Sequence, residues 1–276
     1  MGRTFGLNGA TTGDRADLLT DIRVAADAGY QVVEVRDAKI ERYLAAGGTL
    51  GALRGLLRSA GVGVASVNAL EDSTLRTGEA FVPVLARCRT LCEWARALDC
   101  PYVVAVPSVL PPGGLAEGEV RARTVEALRR LGTVAADAGV RLGFEFLGFP
   151  ACSVNTVRAA RRIVEEVGDP AVGLVIDAFH FYIGGSQPED LDGLDASRIF
   201  IVHLDDAEPG EPASLTDAQR LLPGEGVIPL KALVARLEQL GYRGAYSLEL
   251  FRPEYWAQDP AEVARRGLDS LRRLFG

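Results

Sequence analysis

Short apolar runs and amphipathic stretches alternate along the whole chain. Eight runs have the length and composition of buried strands: Arg3–Asn8, Tyr30–Arg36, Val62–Ala69, Tyr102–Pro107, Arg141–Leu147, Val172–Asp177, Arg198–Leu204 and Ala245–Phe251. Between them, apolar residues recur at helical spacing. Leu18, Leu19, Ile22 and Ala26 mark a helix within Asp14–Gly29, and Gly78–Leu98, Glu117–Gly139, Val154–Gly168, Ile228–Gly241 and Pro260–Phe275 carry the same signature. Pro188–Leu194, between the sixth and seventh runs, gives only a short, weak helical signal. Gly29, Gly61, Gly139 and Gly241 each fall just before a strand, where the left-handed residue of a helix C-cap belongs.

Eight successive βα units in 276 residues predict an α/β fold of one domain spanning 1–276, the closed parallel (β/α)8 or TIM barrel. An open doubly wound sheet would normally bring a phosphate loop after an early strand, and neither G-x-G-x-x-G nor G-x-x-x-x-G-K-[ST] occurs. Nothing long enough to act as a linker divides the chain. The Pro/Gly-rich Val106–Gly118 segment sits where a βα loop belongs and reads as a mobile flap over the site.

Composition narrows the function classes. With 48% hydrophobic and 24% charged residues, the chain has ample core material and no disorder signature. A net charge of −7 counts against a nucleic-acid partner. No apolar run approaches a membrane span of roughly 20 residues, and no secretory signal follows Met1, so a cytoplasmic protein without a membrane partner is expected. Cys88, Cys92, Cys100 and Cys152 read as buried free thiols of a reducing compartment. Lys39 and Lys231, the two lysines, fall at no strand end, which argues against Schiff-base chemistry.

The strand ends carry the chemistry. In a barrel of this kind the functional groups stand at the C-terminal ends of the strands. The fifth run places Glu145 there, the sixth Asp177, the seventh His203 and the eighth Glu249. Side chains two apart share a face of a strand. By that rule Gly143, Gly173, Val175, Ile199, Ile201, Ala245 and Ser247 point inward with the quartet, whereas Phe144, Leu174, Ile176, Phe200, Val202, Tyr246 and Leu248 point to the outer helices. Three carboxylates converging on one axis repel each other unless a cation joins them. Three oxygen donors and one imidazole suit Mn²⁺, with Zn²⁺, Mg²⁺ or Co²⁺ also compatible. Both histidines of the chain, His180 and His203, lie in this half-barrel.

These residues resemble the sugar-phosphate isomerase/epimerase-like barrels related to xylose isomerase, which carry a Glu–Asp–His–Glu metal set on strands five to eight. Within that group the resemblance is greatest to the inosose isomerases, the 2-keto-myo-inositol isomerases of inositol catabolism. It rests on Phe144–Gly148, Ser153–Thr156, Gly173–Phe181, Ile199–Asp206, Leu222–Gly226 and Ser247–Tyr255, and it is looser over the first half of the chain.

The resemblance implies an isomerase holding one divalent metal on Glu145, Asp177, His203 and Glu249. A small polyhydroxy ketone chelates that metal, and Glu145 and Glu249 move the proton through an enediolate. The carbonyl would shift from 2-keto-myo-inositol towards 1-keto-D-chiro-inositol. His180 is implied as a hydrogen bond to substrate oxygen. Arg252, Trp256, Glu34 and Asn68 are candidates for further substrate contacts, with a salt bridge at the barrel mouth the alternative for Arg252; Trp256 and Tyr255 either wall the pocket or pack the loop, and Asp205 and Asp206 either orient His203 or are solvated loop charges. A homo-oligomer is compatible with the family. Competing readings are an inosose dehydratase, a ketose 3-epimerase, a hydroxypyruvate isomerase and a non-catalytic sugar sensor. An apurinic-site endonuclease shares the barrel but uses many more histidines than the two found here.

Overall fold

The computed structural model describes residues 2–276. Among the described residues, ten strands and ten α-helices follow one another. They are β1 (Thr4–Asn8), α1 (Leu18–Ala28), β2 (Val32–Arg36), α2 (Asp37–Ala45), α3 (Leu50–Ala60), β3 (Gly63–Leu70), α4 (Val82–Ala97), β4 (Tyr102–Ala105), α5 (Glu117–Asp137) and β5 (Arg141–Glu145). Then come α6 (Val157–Val167), β6 (Val172–Asp177), α7 (Ala178–Ile183), β7 (Ile199–Leu204), β8 (Asp206–Ala207), β9 (Arg220–Leu221), α8 (Leu230–Leu240), β10 (Ala245–Leu248), α9 (Pro253–Trp256) and α10 (Pro260–Leu274).

Eight strands close a barrel in the order β1-β10-β7-β6-β5-β4-β3-β2, and every pairing is parallel. The expected (β/α)8 barrel is thus the fold observed. The remaining two strands, β8 and β9, make a small antiparallel ribbon above the barrel mouth. Helix ends follow local rules. Asp17, Thr49 and Thr156 cap α1, α3 and α6 through their side chains, and Gly29, Gly61 and Gly241 close helices with left-handed backbone.

Four features differ from the sequence expectations. Between β2 and β3 there are two helices, and α2 went unforeseen because its buried face is only Lys39 and Ile40, too sparse for an apolar stripe. Between β6 and β7 the helix is α7, which starts directly after Asp177, while Pro188–Leu191 forms one 3₁₀ turn. Asp177 ends the strand and caps the helix, since its Oδ1 accepts from the His180 amide at 2.6 Å.

Third, the Val106–Gly118 segment is tied down over its first half. Val109 bridges to Cys152, Leu110 N donates to Ala151 O at 2.8 Å, and Ser108 Oγ accepts from the amides of Thr74 and Leu75. Three βα loops are sewn together there, so Val106–Leu110 is held as a wall, while 111–118 continues as a largely exposed stretch.

Fourth, β7 does not alternate throughout. Leu174 pairs with Ile199, but Val175 pairs with Ile201, leaving Phe200 as an extra residue. The bulge turns Phe200 into the barrel beside Val175 and Ile201, and sends Ile199 to the outer core. Both are the reverse of strict alternation. Inside, Phe200 stacks on Tyr102 with ring centroids 4.8 Å apart, and Arg141 lies over both rings. Gly143 and Gly173 make room for this plug. A Cβ on Gly173 would stand 2.5 Å from Phe200 Cζ and 2.6 Å from the Arg198 carbonyl. The lower barrel is therefore packed solid, and only its upper end is free for chemistry.

Gly173→Ala should destabilise the fold by about 1–3 kcal/mol through overpacking. Gly55→Ala, on the exposed face of α3 with nothing within 4 Å of its Cβ, should stabilise it by up to about 1 kcal/mol. Urea denaturation midpoints check both, and equal shifts of the same sign would contradict this packing account.

Candidate metal centre and active site

Each side chain of the site is placed by a strand end. Register sets Asp177 directly against His203, and Ser247 against His203 from the other side. Glu145 closes β5, and Glu249 follows the last residue of β10. One donor atom from each of Glu145, Asp177, His203 and Glu249 lies within 4.8 Å of the others, and all four residues are buried. His203 Nδ1 is 3.0 Å from Glu145 Oε1, 3.2 Å from Glu249 Oε2 and 3.7 Å from Asp177 Oδ2. The four residues that the sequence singled out thus converge on one point.

The opposite ring nitrogen explains the orientation of His203. Its Nε2 lies 3.1 and 3.2 Å from the two carboxylate oxygens of Glu34, and Ser66 Oγ donates to Glu34 Oε2 at 2.6 Å. This carboxylate–imidazole pair leaves Nδ1 free to face the three other carboxylates. Glu34, expected to touch substrate, is instead wholly buried beneath the histidine, because the bulk of His203 separates it from the cavity.

Electrostatics show how strained four such groups are on their own. Burial pushes Glu145 up to about 7, although His203 pulls it the other way. Burial also favours protonation of Glu34, but His203 and Ser66 bring that carboxyl down to about 2. Burial would lower His203, yet Glu249, Glu34 and Glu145 hold it well above the usual imidazole range. Asp177, equally buried, is kept low mainly by Arg220. A divalent cation bound to this donor set would replace the proton on Nδ1 and relieve the repulsion among the carboxylates. The residues present fit such an ion in number, type and closeness.

Above the quartet lies a cavity of about 170 Å³, lined by Arg36, Asn68, Glu145, His180, Arg220 and Glu249 together with Leu147, Phe149 and Phe251. That volume has room for a small sugar-sized ring. Arg220, fully buried on β9, went unnoticed in the sequence. Its Nη1 donates to Asp177 Oδ2 at 2.6 Å and contacts Asp205, its Nε donates to Asp217 at 2.9 Å, and its Nη2 sits 3.1 Å from His180 Nε2. A guanidinium can only donate, so His180 Nε2 accepts and Nδ1 carries the proton. That N–H is buried and has no partner among the described residues. An orphaned donor on a cavity wall calls for a ligand oxygen.

Other expected contacts resolve differently. Asn68 lines the cavity, with Nδ2 3.4 Å from Glu249 Oε1, and Asn8, also missed, donates to the same oxygen at 2.7 Å. Arg252 turns away to Glu208 at 2.7 Å and Glu254 at 3.2 Å, held at the rim by ion pairs instead of reaching inward. Trp256 donates from Nε1 to the Ala10 carbonyl and packs over Gly13, so it is loop packing. Tyr255 braces the β9 loop through Leu222. Asp205 holds Arg220 and the Phe179 amide, and Asp206 caps the amides of Gly224 and Ile228; neither reaches His203. The rim residues are absent from the cavity because short loops bind their side chains locally.

Ligation requires Glu145 and His203 each to lose a proton that the metal-free protein holds near neutrality. Divalent-metal affinity should therefore fall below about pH 7, by roughly tenfold per pH unit for each proton displaced. Calorimetric Mn²⁺ titrations in buffers of different ionisation enthalpy should show proton release. A dissociation constant flat from about pH 6 to 8 would contradict this.

Comparison with known proteins agrees with this geometry. A family model described as the xylose isomerase-like TIM barrel matches residues 22–274. The inosose isomerase of Halalkalibacterium halodurans is 37% identical over 264 residues, covering 95% of this chain and 93% of that protein. The inosose isomerase of Bacillus subtilis is 34% identical, covering 94% of each. A crystal structure of the IOLI protein with a bound zinc atom superposes with a TM-score of 0.95 at 32% identity, over 98% of this chain and 97% of that one. The chain belongs to the xylose isomerase-like TIM barrel family.

Proposed function

We propose that this protein is a divalent-metal-dependent isomerase that shifts the carbonyl of a keto-inositol, interconverting 2-keto-myo-inositol and 1-keto-D-chiro-inositol. The observation that carries the reading is the buried Glu145–Asp177–His203–Glu249 cluster at the floor of a sugar-sized cavity. Full-length similarity to proteins named inosose isomerase supports the substrate class. Glu145, Asp177, His203 and Glu249 would hold the ion. Mn²⁺ is our first choice on the oxygen-rich donor set, and Zn²⁺ is the second because the IOLI structure binds it. When bound, such an ion supplies Lewis-acid polarisation of a ketone oxygen.

The chain's own residues supply the rest. β5 and β10 stand three strands apart around the barrel, so Glu145 and Glu249 approach the cavity from different directions. One carboxylate removes the proton from the hydroxyl-bearing carbon next to the carbonyl. The other group returns a proton to the former carbonyl carbon, and the hydroxyl proton passes to the former ketone oxygen. His180 offers its Nδ1–H to a substrate oxygen, and Arg220 fixes the tautomer that makes this possible. Asn8 and Asn68 orient Glu249 by donating to one of its oxygens. Four buried, unpaired thiols fit a reducing cytoplasm as the working compartment.

Proton NMR of the Mn²⁺-loaded protein with 2-keto-myo-inositol in D₂O tests the proposal. A second inosose should appear with deuterium at the exchanged carbon. Glu145→Gln, with metal content checked, should lose about 10²–10⁴-fold in rate. Loss of water to a diketone would assign a dehydratase instead. No exchange by the metal-loaded protein would refute the substrate class.

A further inference from the structure

Arg36 is the one cationic side chain on the cavity wall besides Arg220, and the two are held very differently. Arg220 is locked by Asp177, Asp205 and Asp217. Among the described residues, no carboxylate lies within ion-pair distance of Arg36. Its Nη1 donates to Asn68 Oδ1 at 2.6 Å, and its guanidinium carbon stands 5.6 Å from the Phe251 ring centre. Its stem runs across Gly9, where a Cβ would lie 3.3 Å from Arg36 Cγ and 2.8 Å from Asp21 Oδ2. A glycine there chiefly clears the Asp21 carboxylate, and it also leaves the arginine stem unobstructed. Asp21 is in turn fixed by Lys39 Nζ at 2.7 Å and Thr12 Oγ1 at 2.5 Å. The arginine is placed by a rigid surround, and most of its five N–H donors are uncommitted.

The charge of the wall decides what those donors would take. Glu71, Glu145, Asp217 and Glu249 line the same cavity. Glu145 and Glu249 belong to the cation cluster and Asp217 is paired with Arg220, which leaves Glu71 on the same wall as Arg36 to oppose an anionic ligand. A neutral ligand with two adjacent oxygens fits, because the planar guanidinium fork engages paired acceptors at once. We propose that Arg36 is a specificity residue that clamps a vicinal hydroxyl pair of the substrate remote from the reacting carbonyl, so that the site selects ring polyols over simpler hydroxyketones. This rests on the keto-inositol reading given above.

The test must separate the clamp from the effect of Arg36 on Asn68 and, through it, on Glu249. Exchange kinetics of the metal-loaded protein are measured on 2-keto-myo-inositol and on 2-hydroxycyclohexanone, which keeps the reacting hydroxyketone and lacks the other hydroxyls. Arg36→Ala should lose about 10–100-fold more in kcat/KM on the first than on the second, the excess mostly through KM. Arg36→Lys, which keeps charge and stem but not the fork, should fall between wild type and Arg36→Ala. Asn68→Ala, which breaks the link to Glu249, should depress both substrates alike.

Inhibition by myo-inositol gives a readout that needs no turnover of the simpler ketone, and it should weaken about tenfold or more in Arg36→Ala. Equal losses on both ketones, or unchanged inhibition by myo-inositol, would overturn the clamp while leaving the isomerase reading in place. Wild-type protein that exchanges neither ketone would overturn the isomerase reading, and this proposal with it.

Discussion

Three carboxylates and an imidazole crowded within 4.8 Å and almost wholly buried are the constraint on which the upper barrel depends. Left alone they are costly, since burial disfavours charge and the like charges repel. The protein tolerates them because cations flank the cluster and hydrogen-bond donors fix each oxygen. His203 stands in the middle, Arg220 bonds Asp177, and Asn8 and Asn68 address Glu249. Such a cluster could hold a divalent ion, which would offset that cost. Replacing it with apolar residues would serve stability better.

The rest of the architecture serves that cluster. Below it, the bulge at Phe200 and the glycines opposite fill the barrel with stacked rings, which denies water a path from the bottom. Above it, the β8–β9 ribbon delivers Arg220, and α7 begins at a metal-competent aspartate. Asp177 therefore has two tasks. Its Oδ1 starts a helix while its Oδ2 faces His203 and Arg220. The helix cap restrains the rotamer of the carboxylate, which is how an active-site group gains rigidity from secondary structure.

The barrel and the quartet were legible in the sequence for the same reason. Period-two alternation and strand ends are local patterns, and Glu145, Asp177, His203 and Glu249 each close a clear apolar run. The bulge was not legible, because Ile199 and Phe200 are both hydrophobic and either could face inward. Arg220 was missed because it lies in an irregular loop, where no periodicity announces which side chain turns in. Its one signal is position, two residues before the Leu222–Gly226 stretch that marks the family resemblance. Arg252 and Trp256 were expected inside on the strength of being just beyond a strand end. Each found a nearer partner, Glu208 for one and the Ala10 carbonyl for the other. Loop side chains are settled by local contacts that a one-dimensional pattern does not encode.

The central claim is that Glu145, Asp177, His203 and Glu249 are the ligands of one catalytic metal. Anomalous diffraction from Mn²⁺-loaded crystals, collected on both sides of the manganese edge, tests it most directly. The account predicts a single strong anomalous peak within coordination distance of His203 Nδ1 and of one oxygen from each of the three carboxylates. A peak elsewhere, or no peak at this cluster in protein shown to carry manganese, would contradict it.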